Sequence, residues 1–164
     1  MAEIQLLTPR LTLRPLQASD DAALLALRGH PEVNRYLDRT PPTDITQARM
    51  FINTITEALL ENKWGYWAIT REDALIGTIC LYNFSEDRLS AELGYELHPD
   101  YQGQGLMDEA VKKVLTFGTT VLGLRTIEAF THRDNVRSAR LLERNGFNKA
   151  EAGDLERFVR TTAP

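Results

Sequence analysis

The chain has 164 residues, 43% of them hydrophobic and 26% charged, and a single cysteine. Its length and ordinary apolar fraction predict one folded domain over residues 1–164 rather than a disordered chain, and Cys80 alone can form neither an internal disulfide nor a thiolate zinc site. With 19 Lys and Arg against 23 Asp and Glu, the net charge of −4 speaks against broad nucleic-acid or anionic-membrane binding. No apolar run approaches a membrane span, and Met1-Ala2-Glu3-Ile4-Gln5 does not open like a signal peptide, so a cytoplasmic location is expected.

Leu11-Thr12-Leu13-Arg14 alternates apolar and polar residues before Pro15, which predicts a strand. Ser19-Asp20-Asp21 supplies an N-cap and an acidic first turn for a short helix through Arg28, ended by Gly29 and Pro31. After the loop Thr40-Pro41-Pro42-Thr43, Asp44 and Gln47 have capping-box spacing. Ala48, Phe51, Ile52, Ile55 and Leu59 then form one stripe of a helix ending near Asn62. Strands over Tyr66–Thr70 and Leu75–Leu81 flank the polar turn Arg71-Glu72-Asp73 and predict an antiparallel hairpin. A third strand, Ala91–Leu97, puts Leu93, Tyr95 and Leu97 on one face and Glu92 and Glu96 on the other, and closes at His98-Pro99-Asp100. After a glycine-containing turn, Met107, Ala110, Val111, Val114, Leu115, Gly118, Val121 and Leu122 make the apolar stripe of a long helix. Asp108–Lys112 and Glu109–Lys113 are its exposed pairs, and Gly123 its stop. Thr126–Thr131 is a strand, Asn135–Asn145 a helix capped by Gly146, Phe147 the start of another strand, and Arg157–Val159 the last. The order implies a mixed sheet flanked by helices, antiparallel in the middle hairpins and locally parallel in the later strand–helix–strand units.

The chemistry concentrates at Gln102-Gly103-Gln104-Gly105-Leu106-Met107, between a strand and the long helix. Unpaired amides and the helix dipole at such a start favour an anion, and glycines let the backbone approach it, phosphate above all. A Rossmann fingerprint needs a third glycine where Asp108 stands, and a Walker A loop needs a lysine earlier than Lys112. What remains is a phosphate-holding turn of another kind, or a plain tight turn.

The same six residues resemble the Q/R-x-x-G-x-G/A loop of the GNAT superfamily of acetyl-CoA-dependent N-acetyltransferases, with Met107 in place of the family's small residue. Thr8-Pro9-Arg10-Leu11-Thr12-Leu13-Arg14-Pro15-Leu16 resembles the opening strand of the RimJ/RimL-like branch, which acetylates protein N-termini. Asn135-Val136-Arg137-Ser138, with Leu141, Leu142 and Gly146-Phe147, is similar to the family's N-x-x-S helix and following strand. The resemblance runs in order over nearly the whole chain. It implies a GNAT-like α/β (α+β) fold: a mixed, mostly antiparallel sheet of six to seven strands, flanked by about four helices and split between strands 91–97 and 126–131. It also implies acetyl-CoA as co-substrate. The backbone amides of Gln102, Gly103, Gln104, Gly105, Leu106 and Met107 would take its pyrophosphate, Leu97 would pair with its pantetheine arm, and Asn135 would hydrogen-bond it.

Amide formation from a protonated amine needs a base, an oxyanion donor and a donor for the leaving sulfur. The place of Glu92 resembles that of the base carboxylate in several members of the family; the alternative is a solvated strand glutamate, with Glu96 as a rival base. Where many members carry a tyrosine acid, this chain has Leu142, and Ser138 is the best remaining donor, as the resemblance to the RimL-like pattern implies; the alternative is a helix serine bonded back to a carbonyl one turn earlier. His98 is either a cofactor contact or a turn residue. His30, His98 and His132 lack ligand spacing, so no metal is expected. Cys80 reads as core rather than nucleophile, and Trp64, Tyr66 and Trp67 as core or acceptor lining. The implied activity is acetyl transfer to a primary amine, a protein or peptide N-terminus first. A small amine (polyamine, amino acid or antibiotic) is the alternative acceptor, and a non-catalytic acyl-CoA-binding module the alternative class. A short final strand completed by a second copy would make a homodimer.

Overall fold

The computed structural model describes residues 4–162, which form eight strands and five helices around one sheet. The strands are β1 (Leu6–Leu7), β2 (Thr12–Arg14), β3 (Gly65–Arg71), β4 (Ala74–Tyr82), β5 (Ser90–Leu97), β6 (Thr126–His132), β7 (Asn148–Glu151) and β8 (Leu155–Thr161). The helices are α1 (Asp21–Arg28), α2 (Pro31–Asn34), α3 (Ile45–Leu60), α4 (Leu106–Thr120) and α5 (Val136–Arg144). The expected six to seven strands become eight because two-residue β1 and the wholly exposed β7 are too short to carry a period. The expected four helices become five because Pro31 does more than end α1. It stands at the first position of α2, capped by the His30 ring, where its fixed φ suits a helix start.

The sheet order is β1-β2-β3-β4-β5-β6-β8-β7. The β3–β4 hairpin turns on Glu72 and Asp73, both at positive φ as a two-residue turn of this hand requires. Among the pairings the parallel one is β5–β6; the second strand–helix–strand unit does not give the parallel pair expected of it, because β8 inserts between β6 and β7 and pairs antiparallel with both. β8 is seven residues long and fully paired within the chain, so the argument for a strand completed by a second copy loses its premise.

Each sheet face carries its own core. Leu106, Met107, Ala110, Val111, Val114, Leu115 and Phe117 of α4, with Leu141 and Leu142 of α5, pack on Leu13, Trp67, Ile69, Ile79, Leu81 and Leu93. Leu24 and Leu27 of α1 and Ile52, Ile55 and Leu59 of α3 pack on Tyr66, Ala68 and Cys80 of the other face. Trp67 thus belongs to the core, with its indole N–H donating to Ile4 O at 3.0 Å, while Trp64 is half-buried and stacked on Tyr82. Val121, placed by its spacing on the α4 stripe, is exposed, because the helix ends at Thr120 before Val121 can follow the stripe inward.

Two ion pairs tie the first residues to this frame. Arg14 of β2 grips the buried Asp20 with both terminal nitrogens at 2.8 Å, which fixes the start of α1. Glu109 does not pair with Lys113. It turns to the other side of α4 and accepts from the Thr8 hydroxyl at 2.5 Å and from the Arg10 amide and Nε at 3.0 Å each. Burial pushes the Glu109 carboxyl up, but the Thr8 and Arg10 hydrogen bonds outweigh it and hold it below the usual carboxylate range. A carboxyl depressed in the folded state contributes stability above the ordinary carboxylate range and loses it as the pH falls through the folded value. Glu109→Gln is therefore expected to lower the urea midpoint at neutral pH, with the gap to the parent protein shrinking by about pH 3.5. A gap of constant size across that range would mean that the charge of Glu109 contributes nothing.

Candidate active site

β5 and β6 pair only over Ser90–Thr126, Ala91–Ile127 and Glu92–Glu128. Beyond Glu92, β5 runs on with β4 alone to the Leu97–Gly77 pair, and β6 runs on with β8 alone to the His132–Leu155 pair. The sheet is therefore parted between Leu93–Leu97 and Ala129–His132, with backbone edges facing a slot, as expected for strands 91–97 and 126–131.

The glycine turn stands at the open end of this slot. Gly103 and Gly105 adopt φ of +77° and +76°, which only glycine enters at no cost. A Cβ at Gly103 would meet nothing within 4 Å, and one at Gly105 only the Arg10 guanidinium at 3.5 Å, so the space over the turn is open. The first helical hydrogen bond runs from Glu109 N to Gly105 O at 3.2 Å, so the amides of Leu106, Met107 and Asp108 precede the ladder. The Met107 side chain is buried in the α4 core, so only its backbone can serve a ligand there. Both acidic residues of this first turn are already occupied, Glu109 as above and Asp108 by Lys112 and by Asn145 Nδ2 at 2.9 Å. Three arginines converge on the turn's glutamines. Arg10 donates to Gln104 O at 2.9 Å, Arg71 to Gln104 Oε1 at 3.2 Å, and Arg137 to Gln102 Oε1 at 2.5 Å. Arg10 and Arg137 stand in stretches quoted for the family resemblance and Arg71 in a hairpin turn, but no local pattern gave any of them this role; they are scattered over the sequence and meet only in the fold. The arrangement can neutralise a polyanion.

Gln102 also donates through Nε2 to Leu97 O at 2.9 Å, so one side chain links the end of β5 to α5 across the slot. His98 caps the short 3-10 turn Pro99–Tyr101 through Nδ1 and lies edge-on to His30 at 5.2 Å. Asn135 is the N-cap of α5, its side-chain oxygen accepting from Ser138 N at 3.2 Å. Ser138 does not bond back to a carbonyl: its Oγ meets the Tyr95 hydroxyl at 2.6 Å. Leu142 is fully buried and has no place in the slot.

Glu92 and Glu96 lie on the opposite face, as the strand alternation predicts. Arg28, at 3.1 Å, and Arg39 both bind Glu96, so its carboxylate is already engaged in ion pairs. Glu128 is paired with Arg157 at 2.6 Å. Glu92 accepts from Asn83 Nδ2 at 3.2 Å, and among the described residues no cation lies within salt-bridge distance of it. It sits at the last paired position before the slot, opposite Tyr82, whose phenol is pushed up by burial and by the Glu92 carboxylate. Burial likewise pushes the Cys80 thiol up, away from a nucleophile's range. The histidines do not come together as ligands; among the described residues no group of three His, Cys, Asp or Glu is placed to hold a metal ion. Among the described residues no helix is long and apolar enough to cross a membrane.

The family description "Acetyltransferase (GNAT) domain" matches residues 10–148. The uncharacterized N-acetyltransferase p20 of Bacillus licheniformis is 36% identical over 146 residues, covering 88% of this chain and 82% of the relative. Two solved structures share the fold. One is RimL, a ribosomal L7/L12 α-N-protein acetyltransferase in complex with coenzyme A (TM-score 0.86, 21% identity, 96% of this chain and 98% of that one). The other is the ribosomal-protein-S5-alanine acetyltransferase of Vibrio fischeri (TM-score 0.83, 19% identity, 97% of each chain).

The turn's backbone gives a prediction that needs no ligand. Since a Cβ at Gly105 meets only ordinary contact, a substitution there is charged for its dihedral alone. Gly105→Val should lower unfolding free energy by about 2 kcal/mol, whereas Gly105→Asn, which tolerates positive φ, should lose about half as much or less. Equal losses in urea titrations would show that crowding, not conformation, selects glycine.

Proposed function

The chain belongs to the GNAT acetyltransferases, and we propose that it moves an acetyl group from acetyl-CoA to a primary amine, a protein or peptide N-terminal α-amino group first, by direct attack of the amine on the thioester. The observation that carries the reading is the parting of β5 from β6 beyond Glu92, with an anion-ready glycine turn at its open end. On this reading the amides from Gln102 to Met107 take the pyrophosphate and Leu97 and its neighbours pair with the pantetheine arm. His98 and the Nδ2 of Asn135 contact the cofactor from either rim. The whole of residues 1–164 acts as one acetyltransferase domain in the cytoplasm, where the acyl donor is found. RimL carries coenzyme A and is described as acting on ribosomal L7/L12, and the Vibrio fischeri neighbour is described by a ribosomal-protein alanine; both support an N-terminal acceptor.

Glu92 takes the amine's proton, directly or through one water, since it is the carboxylate beside the slot that no arginine holds. The amine nitrogen then attacks the thioester carbon, backbone amides of β5 polarise the carbonyl, and Ser138 faces the leaving sulfur. The test begins with acetyl-CoA turnover against peptides bearing free N-terminal Ser or Ala, beside polyamines and amino acids. Glu92→Gln keeps the side chain's shape and loses its basicity. It should leave coenzyme A affinity unchanged, lower turnover roughly 10²–10⁴-fold, and abolish the acid limb of the pH–rate profile. Near-normal turnover with an unchanged limb would assign the base elsewhere. Turnover with small amines alone would replace the peptide acceptor by the small-molecule one.

A further inference from the structure

Five threonines of helices α3 and α4 hydrogen-bond through their hydroxyls to a carbonyl one turn behind them. Thr54, Thr56, Thr116, Thr119 and Thr120 each donate to the carbonyl four residues earlier, at 2.6–3.0 Å. Ser138 departs from that habit. Its Oγ reaches across the slot to Tyr95, the two hydroxyls 2.6 Å apart. Tyr95 stands three residues beyond Glu92, where β5 has already left β6, and Ser138 stands on the helix that follows β6. The pair therefore joins the two sides of the parted sheet on the α4–α5 face, opposite the face that holds Glu92.

A serine hydroxyl is a rotor with one hydrogen and two lone pairs, and its hydrogen goes wherever the best acceptor lies. Burial pushes the Tyr95 phenol up to about 12, more than its hydrogen bond with Ser138 lowers it, so the phenol stays protonated at neutral pH. Either hydroxyl of this pair could donate, but a phenol is the more acidic and so the better donor, and Ser138 Oγ is the acceptor within its reach. Once that lone pair is taken, the serine's own hydrogen is free to point into the slot. We propose that Tyr95 is a positioning residue for acyl transfer: its hydroxyl fixes the Ser138 rotor so that the serine hydrogen is presented to the coenzyme A sulfur as the thioester breaks. The phenol that many relatives are expected to place on the helix, at the position of the buried Leu142, is on this chain supplied from the facing strand.

The inference rests on the acetyl-CoA reading above. The balance of the step is ordinary acyl transfer. The C–N bond forms, the C–S bond breaks with its electron pair on sulfur, and the thiolate accepts the serine hydrogen bond until it takes up the proton that the acylated nitrogen sheds. Tyr95 and Ser138 end the cycle protonated as they began it.

The bound thiol itself reports the arrangement, without any acceptor. In the complex of the protein with coenzyme A, the thiolate's ultraviolet absorbance is followed against pH for the parent protein, Tyr95→Phe, Ser138→Ala and the double variant. A hydroxyl aimed at sulfur favours the thiolate, so the bound thiol of the parent should ionise more readily than that of free coenzyme A. Tyr95→Phe should cost about three- to tenfold in the thiol's ionisation constant, the worth of one hydrogen bond, while coenzyme A affinity measured by calorimetry stays within about twofold. Ser138→Ala should cost at least as much, and the double variant no more than Ser138→Ala alone, because the phenol acts only through the serine. With a working acceptor, kcat of Tyr95→Phe should fall by a similar factor at unchanged KM for acetyl-CoA, and the acid limb that belongs to Glu92 should stay. A thiol that titrates alike in the parent and in Tyr95→Phe, or losses that multiply in the double variant, would overturn the role of Tyr95. So would a loss of affinity in place of the titration shift. Failure of the parent protein to bind coenzyme A would instead overturn the acetyl-CoA reading, and this inference with it.

Discussion

The proposed function of this chain depends on how briefly β5 and β6 stay together. Three residue pairs, Ser90–Glu92 with Thr126–Glu128, hold the two halves of an eight-stranded sheet. Each strand then follows its other neighbour, β5 with β4 and β6 with β8, and the pairings are long enough to stand alone. A sheet edge normally has to be covered or paired, because its amides and carbonyls are otherwise unmatched. Here two such edges face each other within one domain-sized body, and an extended ligand arm between them is the natural way to match both. The side chains that cross the gap, Gln102 to Arg137 and Tyr95 to Ser138, bridge it without closing the backbone ladder.

The open end of the gap has an electrostatic difficulty that the fold resolves by distant pairing. Asp108 and Glu109 suit the start of α4, since negative charge there favours the helix dipole, yet the same charges would repel a phosphate. Glu109 is drawn aside by Thr8 and Arg10, and Asp108 by Lys112 and Asn145. The residues preceding β2 thereby do two things. They fasten the first strand to α4, and they bring the Arg10 guanidinium to the carbonyl of Gln104 inside the glycine turn.

Much of this was legible in the sequence where a local period or cap specified it. The α3 cap at Asp44, the β3–β4 hairpin and the faces of β5 all follow from residues within one or two turns of each other. The glycine turn was legible as a turn at a helix start because two glycines precede an apolar stripe, and its assignment to a family came from resemblance rather than from spacing. What stayed hidden was set by pairing at a distance. β8 entering between β6 and β7 leaves no local mark, and neither does the choice of Glu109 for Arg10 over Lys113. Glu92 and Glu96 look equivalent along the strand, two residues of one face. Only the fold brings Arg28 and Arg39 to Glu96 and leaves Glu92 with a neutral asparagine. The Tyr95–Ser138 contact spans 43 positions and was invisible for the same reason.

The two faces of β5 divide the proposed chemistry between them. Glu92 faces the α1–α3 side and Tyr95 the α4–α5 side, as strand alternation requires of residues three apart. A base and a leaving-group donor on the same face would compete for one approach to the thioester and would exchange protons with each other. On opposite faces of an intact sheet they could not reach a common atom at all. A sheet parted between β5 and β6 satisfies both demands. A carbonyl lying in the gap is open to the amine from one face while its sulfur departs toward the other. The three-pair contact at Ser90–Glu92 would set the depth at which this happens, because it ends the slot beside Glu92, the proposed base. On the proposed chemistry the short parallel pairing serves as a stop for the acyl group, since one further register pair would close the slot beyond Glu92.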